Sequence, residues 1–354
     1  MYNNYKIIKE LNKGYSGIAY LIEKDDKKYV LKRQKLLPKE VKLNYKYSIW
    51  REIDFNKFVN KLSKSKQKFF MKMYDYKINE CYYQHKPKVL YINPMMKKDL
   101  IARNKSKYCL DIVIEYKGNT IYNLIKNGLP VKEKYCLIIQ VLYALDIMHS
   151  NKYLHQDIHQ GNITYEKIKT PIKIYGKTLP CKYQYSLIDY GLVQHQKYYK
   201  TKKDKKDYIK LYKDNNDVNQ LLKNIILQEH MLNYIYEEKK WKPVRWYEPK
   251  TYGKIMKNFY NNKPIWNKIK KILYKTNKLW FDNYEKTYDF TDCTACENIE
   301  ILFSAYNRKE FLKIKGWTKI YIPNFIPSKD IIFMVENMTN NKKMIKYFLE
   351  YFDD

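Results

Sequence analysis

A short stretch near the middle of the chain gathers side chains that could transfer a proton and bind a cation. Between Tyr153 and Tyr165 the sequence YLHQDIHQGNITY contains Asp157, His159 and Asn162, with a glycine directly before the asparagine. Only nine of the 354 residues are glycine, so its presence here is notable. A carboxylate can act as a general base, and an asparagine oxygen is a suitable ligand for a hard cation. The pattern predicts a loop that holds a base and a metal ligand close to a phosphate.

Two further groups upstream fit a phosphate-binding site. Gly14 and Gly17 stand between two segments with the alternation of β-strands, and backbone without Cβ can approach phosphate oxygens closely. Lys32 ends the next predicted strand, in Tyr-Val-Leu-Lys, where its ammonium could point at the same phosphates. Glu52 lies on the helix predicted after that strand and could pair with Lys32. Each feature alone is weak, since a glycine pair is commonly a hairpin turn and a strand lysine is commonly solvated.

The order of these groups resembles that of the protein-kinase superfamily from about Tyr5 to Leu222. A glycine loop, a strand lysine, a helix glutamate and the loop around Asp157 are followed by Asp189-Tyr-Gly and then by Asp217. Within that superfamily the chain is similar to a divergent haspin-like serine/threonine kinase. The likeness rests on D-x-H-x-G-N, on Asp-Tyr in place of Asp-Phe, on the long interval 163–186, and on the lack of Ala-Pro-Glu.

This resemblance implies a role for each residue. Asp157 would orient the substrate hydroxyl and accept its proton, while Asn162 and Asp189 would hold Mg²⁺ on the phosphates of ATP. Lys32 would contact those phosphates, braced by Glu52. The other implied contacts are a γ-phosphate donor (His159), a glycine loop (Asn12, Gly14 and Gly17) and an adenine-binding hinge (Ile114, Glu115 and Lys117).

Several positions depart from the usual kinase pattern. Asn12 replaces the first loop glycine, Asn56 stands where an apolar residue is usual four positions after Glu52, and Thr164 replaces an apolar residue under adenine. Gln156 replaces the arginine that reads a phosphate on the activation segment in many kinases. The sequence therefore predicts an enzyme that needs no activating phosphorylation.

The predicted elements fit this family. Alternating segments YKIIKEL, IAYLIEK and KKYVLKRQ, then FFMKMYDYKI and LDIVIEYKG, predict strands, and Ser48 to Leu62 predicts a helix. The stretch between the last two of these strands, with CYYQHKPK and NPMMKK, is expected to be irregular. Helical patterns dominate after Asn119, and the interval 163–186 predicts an added hairpin. The expected fold is α+β and two-lobed, with a small β-rich N-lobe over 1–115 and a larger, mainly helical C-lobe over 116–354.

Charge is the most unusual property of the composition. Lys and Arg number 69 against 37 Asp and Glu, a net charge of +32, and 39 tyrosines accompany them. The excess suits an anionic partner, but a compositional bias toward Lys, Asn, Ile and Tyr is the favoured explanation, because the lysines are spread along the whole chain. Lysines between Asp189 and Asp217 favour an acidic protein substrate over the basic tail that the haspin likeness implies. Chromatin association and direct nucleic-acid binding stay open, and we expect a monomer.

The six cysteines show no framework spacing, so reduced thiols in an intracellular protein of the cytoplasm or nucleus are expected. Cys293 and Cys296 form a lone CxxC, for which two thiols on a helix are the simpler interpretation. The polar N-terminus predicts no signal peptide and no apolar stretch is long enough to span a membrane.

Three functions remain open from sequence. The first is an ATP-dependent serine/threonine protein kinase. The second is a kinase-like phosphotransferase for small molecules, which would share the catalytic loop and the later aspartate. The third is an ATP-binding scaffold with weak catalysis.

Overall fold

The computed structural model describes residues 5–14, 17–87, 94–126, 128–168, 170–213, 216–222, 225, 267 and 326–353. The chain divides into two compact units. The first comprises Met1–Asn119 and Ser186–Val193, and the second comprises Thr120–Tyr185 and Gln194–Asp354. Cys293 and Cys296 lie outside the described residues, as does most of the last hundred.

The first unit is built on an antiparallel five-stranded sheet in the order β1-β2-β3-β5-β4. Alternation places Ile22, Leu31 and Val113 together in its core, which fixes the register of the three central strands. The bounds are β1 (Lys6–Lys13), β2 (Gly17–Lys24), β3 (Lys27–Leu36), β4 (Met73–Glu80) and β5 (Tyr108–Glu115). The five strands predicted from alternation are all present, although β4 starts later than its apolar run.

Helix α1 (Ser48–Lys61) follows the first three strands, as predicted. Its buried face includes Ile49, Ile53 and Val59, and the same helix carries Glu52. A short helix, α2 (Lys64–Gln67), follows it.

The prediction of an irregular stretch between the last two predicted strands is wrong for its second half, which forms helix α3 (Pro94–Lys105). Arg103 near its end donates two hydrogen bonds to Glu40, at 2.6 and 2.9 Å, and one to Asp99 at 2.7 Å. This helix has no clear apolar face in its sequence, so periodicity did not reveal it. The long-range ion pair between Arg103 and Glu40 fixes it in place instead.

The expectation of uniformly reduced thiols is also wrong. Cys81, just after β4, and Cys109, within β5, form a disulfide with their Cα atoms 5.7 Å apart. The two positions are brought side by side by the β4–β5 pairing, in which Glu80 lies opposite Tyr108. Cys136 and Cys181 are free. Spacing in the sequence cannot reveal a pairing that depends on strand register.

The second unit is organised around the long helix α5 (Val131–Ser150), which is buried along most of its length. The shorter α4 (Tyr122–Lys126) precedes it, and β6 (Asn119–Thr120) lies at the boundary of the two units. The interval after Asn162 contains the predicted hairpin, formed by β9 (Ile172–Ile174) and β10 (Lys177–Leu179). The other short strands are β7 (Tyr153–Leu154), β8 (Ile163–Lys167), β11 (Tyr183–Leu187) and β12 (Gln194–His195).

Four more α-helices follow in the described part of the second unit. They are α6 (Lys202–Lys213), α7 (Asn216–Leu221), α8 (Ser328–Glu336) and α9 (Asn341–Leu349). The buried Asp330 on α8 accepts hydrogen bonds from the hydroxyls of Tyr135, Tyr347 and Tyr351 at 2.6–2.7 Å, which ties the C-terminal helices to α5.

The expected α+β class is confirmed: a small antiparallel sheet with one main helix in the first unit, and helices as the longest elements of the second. None of the helices in the described ranges has the length and hydrophobicity needed to cross a bilayer.

Candidate active site

In the first unit, a lysine is held between two carboxylates. Lys32 on β3 donates to Glu52 Oε1 and to Asp189 Oδ1, each at 2.8 Å. The Glu52 side chain is only 3% exposed, whereas that of Asp189 is 45% exposed. The structure therefore brings together three predicted residues that are far apart in sequence, and one of the two carboxylates is accessible to a ligand.

The electrostatics of this group keep Lys32 charged. Burial would lower the pKa of Lys32, but the charges of Asp189 and Glu52 outweigh it and the pKa is raised. Burial raises the pKa of Glu52, against the opposing effect of Lys32. Gln34, two residues along β3, also hydrogen-bonds the Glu52 carboxylate. Asn56 does not disturb the pair, since its amide donates to the Glu52 carbonyl at 3.0 Å.

The segment after Asp189 is anchored by a tyrosine. Tyr190 is fully buried, accepts from the Met71 backbone N–H at 2.8 Å and donates to the Leu187 carbonyl at 2.8 Å. Its ring packs against Phe55 on α1, with centroids 4.6 Å apart. Asp189 itself has φ of 56°, a left-handed conformation that is uncommon for a residue with a side chain. Such backbone strain clusters at functional sites.

The predicted glycine loop lies in the connection between β1 and β2. A Cβ on Gly17 would collide with the backbone carbonyl of Arg33, so only glycine fits there. The Gly14 carbonyl lies 2.9 Å from Nε2 of the buried His85, which can donate to it. Asn12 lies at the end of β1, where its side chain accepts from the Lys13 N–H at 2.7 Å.

The predicted hinge is the end of β5. Ile114 is buried between Val30 of β3 and Met73 of β4, and the Glu115 N–H donates to the Lys72 carbonyl at 2.8 Å. The Lys117 ammonium lies 3.2 Å from Glu115 Oε1.

In the second unit, the stretch around Asp157 forms a compact loop. The Asn162 amide donates to the Asp157 carboxylate at 2.8 Å and to its carbonyl at 3.0 Å. His159 Nδ1 accepts from the Gly161 N–H at 3.0 Å, so in the neutral ring the proton is on Nε2, which lies 3.6 Å from Asp157 Oδ2. The structure thus brings Asp157, His159 and Asn162 together.

A buried carboxylate on α7 holds the backbone of this loop. Asp217 accepts from the N–H groups of His155 and Gln156, at 2.8 and 2.6 Å, and from His149 Nε2 at 2.9 Å. Burial would raise the pKa of Asp217, but the hydrogen bonds from His149 and from the Gln156 backbone lower it below its usual value. Asp217 therefore remains an anion that fixes the backbone just before Asp157.

Gln156 has a structural role at the position where many kinases have arginine. Its side chain donates to Asp217 at 3.3 Å and accepts from Asn216 at 3.1 Å, while its φ is 65°. Gln220 on α7 accepts from the Ile158 N–H at 2.8 Å and donates to the Gln156 carbonyl at 3.1 Å. The Gln156 side chain therefore makes both of these hydrogen bonds to residues of α7, Asp217 and Asn216.

Three supporting residues were missed from the sequence: Gln34, His85 and His149. His149 Nδ1 also accepts from Asn341 on α9 at 2.9 Å, which orients the ring toward Asp217. A histidine at the end of a long helix, six residues before His155, is the only sequence signal for it. Gln34 and His85 are positioned by the sheet and by the stretch before α3, and nothing in their spacing marks them.

The cation implied by the kinase likeness fits these residues only with help from a ligand. In the described part of the chain, no group of three or more His, Cys, Asp or Glu side chains could hold a metal alone. Mg²⁺ is commonly bound by one or two protein oxygens together with substrate phosphates. Each unit offers one oxygen of this kind: the exposed Asp189 carboxylate in the first, and the side-chain oxygen of Asn162 in the second.

No protein-family model and no curated protein sequence matches this chain. Among solved structures, it is similar to a Plasmodium kinase domain, with 17% identity and a TM-score of 0.37. The match covers 57% of this chain and 54% of that kinase domain.

Proposed function

We propose that the protein is an ATP-dependent serine/threonine protein kinase, haspin-like, which transfers the γ-phosphate of Mg-ATP to a protein hydroxyl. The observation that carries the proposal is the pair of centres described above. One is a charged lysine between a buried and an exposed carboxylate. The other is an aspartate paired with an asparagine on a loop braced by a buried anion.

The first centre suits the nucleotide. Lys32 retains its positive charge and is fixed by Glu52, so it can neutralise phosphate oxygens without rearranging. The Asp189 carboxylate would exchange part of its contact with Lys32 for the cation, which supplies charge neutralisation on the phosphates when bound. Gly17 lets the start of β2 lie close to Arg33 of β3, and the backbone of Glu115 and Lys117 would hold adenine.

The second centre suits the hydroxyl. The Asp157 side chain is 36% exposed and can accept a hydroxyl proton, while Asn162 fixes its orientation. His159, 44% exposed, has its donor nitrogen on the same side as the Asp157 carboxylate and can donate to a phosphate oxygen. Asp217 prevents the backbone from relaxing when Asp157 changes partners.

The test is phosphate transfer by the purified full chain from labelled ATP to a Ser/Thr peptide library, with small alcohols and aminoglycosides tested in parallel. Asp157→Asn removes the general base, so it should lower the rate roughly 10²–10⁴-fold and leave nucleotide affinity almost unchanged. Asp189→Asn should lower both the rate and the affinity for Mg-ATP. Asp75→Asn and Asp146→Asn, which replace carboxylates outside both centres, serve as controls.

Wild-type turnover in Asp157→Asn would overturn the proposal. Transfer to small alcohols but to no peptide would favour the small-molecule phosphotransferase. Nucleotide binding without any transfer would favour the scaffold.

A further inference from the structure

Helix α6 carries a row of exposed lysines. Lys206 and Lys213 follow Lys202 by four and eleven residues, and Lys205 follows it by three, so the four share one side of the helix. Lys200 precedes them. All five are exposed, as is Ile209 between them. We call these five lysines the lysine ridge.

The ridge is not neutralised within the described part of the chain. Lys32, Lys107 and Lys177 each have a carboxylate partner, whereas no described carboxylate forms an ion pair with any of the five ridge lysines. Lysines at i and i+4, such as Lys202 and Lys206, repel each other and destabilise a helix. An anionic ligand would remove that repulsion, and among the described side chains no carboxylate does so.

Two tyrosines of α6 fix the helix to the segment that leads into the loop of Asp157. The buried Tyr208 donates to the Lys152 carbonyl at 2.7 Å, and Tyr212 donates to the His149 carbonyl at 3.1 Å. Lys152 precedes Asp157 by five residues, a Cα–Cα distance of at most about 19 Å. A peptide whose hydroxyl reaches Asp157 could therefore place residues a few positions away near α6.

We propose that the lysine ridge binds acidic side chains that flank the acceptor Ser or Thr, so that the substrate class is an acidic protein segment. This inference rests on the proposed function and adds its substrate. Opposite charges across an interface steer association and set specificity, with an effect that weakens as salt increases.

A peptide fits the ridge better than a nucleic acid does. Proteins that bind single strands combine lysines or arginines with exposed aromatic rings on which bases stack. On α6 both tyrosines are directed to the backbone of 149–152, and residues 197–213 contain no arginine. The exposed apolar residue on the ridge is Ile209, which can pack against an aliphatic or aromatic side chain of a peptide.

The experiment compares three peptides with the same central serine, flanked by Asp/Glu, by Gln, or by Lys/Arg. At low salt we expect the acidic peptide to have kcat/KM about tenfold above the neutral one, mainly through KM, and the basic peptide to be the poorest. The triple variant K202Q/K205Q/K206Q should reduce this preference to about twofold or less and leave the neutral peptide unchanged. The control triple K342Q/K343Q/K346Q removes three exposed lysines from α9 of the same unit and should preserve it.

Equal rates for the acidic and neutral peptides, or a preference for the basic one, would overturn the proposal. So would a single-stranded oligonucleotide that binds the ridge more tightly than the acidic peptide and loses that affinity in the triple variant. Should no peptide be phosphorylated, the proposed function fails, and binding of the labelled acidic peptide still tests the ridge. Equal binding by the wild type and by K202Q/K205Q/K206Q would then reject it.

Discussion

The two centres are built in opposite ways. The first joins residues from a strand, a helix and a distant loop, namely Lys32, Glu52 and Asp189, through direct ion pairs. The second lies within eight consecutive residues, 155–162, and its key contacts are local hydrogen bonds. The first therefore depends on the packing of its unit, whereas the second depends on one carboxylate, Asp217, that holds its backbone.

This difference predicts the largest effect for the second centre. Asp217→Ala removes the acceptor of two backbone N–H groups and of His149, all at a fully buried position. Breaking a buried charged network by removing one partner costs about 3–5 kcal/mol. We expect the free energy of unfolding, measured in urea, to fall by that amount, and phosphate transfer to be lost. Asp146→Ala, at a half-exposed carboxylate on the same unit, is the control, and a cost for Asp217→Ala as small as its own would contradict the bracing role.

The corresponding constraint in the first unit is covalent. The Cys81–Cys109 disulfide closes a loop with a sequence separation of 28, for which the loop-entropy model gives about 3–4 kcal/mol. A dithiol reductant, or the double variant Cys81→Ser/Cys109→Ser, should lower the stability of the unit by that amount. His85, four residues beyond Cys81, contacts the Gly14 carbonyl, so weaker ATP binding should accompany reduction.

The dithiol should have no effect on the double variant, which is the internal control. A thiol titration that finds Cys81 and Cys109 free in the untreated protein would contradict this prediction.

The same contrast explains which features could be predicted from sequence. The loop of Asp157 was visible because its chemistry lies in one short stretch, and the strands were visible because apolar residues alternate along them. Helix α3 and the disulfide were not visible in the sequence, because both depend on partners that the folded unit brings close, such as Glu40 for Arg103. The Lys32–Glu52 pair could be anticipated only through the order of motifs, since neither residue is distinctive alone.

Acid should remove the contribution of Asp217 to the stability of the protein. The folded pKa of Asp217 is lowered, so its contribution to stability is present above the ordinary aspartate value of 3.8 and is lost as pH falls through the folded pKa. The wild type should therefore be more stable than Asp217→Asn near neutral pH, and this difference in stability should shrink below pH 3.8. Urea unfolding of both proteins over this range measures it. A constant difference across the range would show that Asp217 is not ionised in the folded protein.

The smallest effect is expected at the residue after Asp189. Tyr190→Phe removes a buried hydroxyl that bonds Met71 and Leu187, but it keeps the ring that packs against Phe55. The Met71 N–H retains a second acceptor, the Leu187 carbonyl at 3.0 Å, so no buried donor is left without a partner. The cost should thus be that of an ordinary hydrogen bond, about 1 kcal/mol in the stability of the first unit. Because Asp189 is held by Lys32 and not by this hydroxyl, the rate of phosphate transfer should change less than threefold, roughly 0.6 kcal/mol. Tyr76→Phe is the matched control, because it removes a hydroxyl that accepts from Lys57 near the surface. A tenfold loss of rate in Tyr190→Phe, without such a loss in the control, would contradict this prediction. It would show that the Tyr190 hydroxyl, through the backbone of 187–190, sets the position of the Asp189 carboxylate.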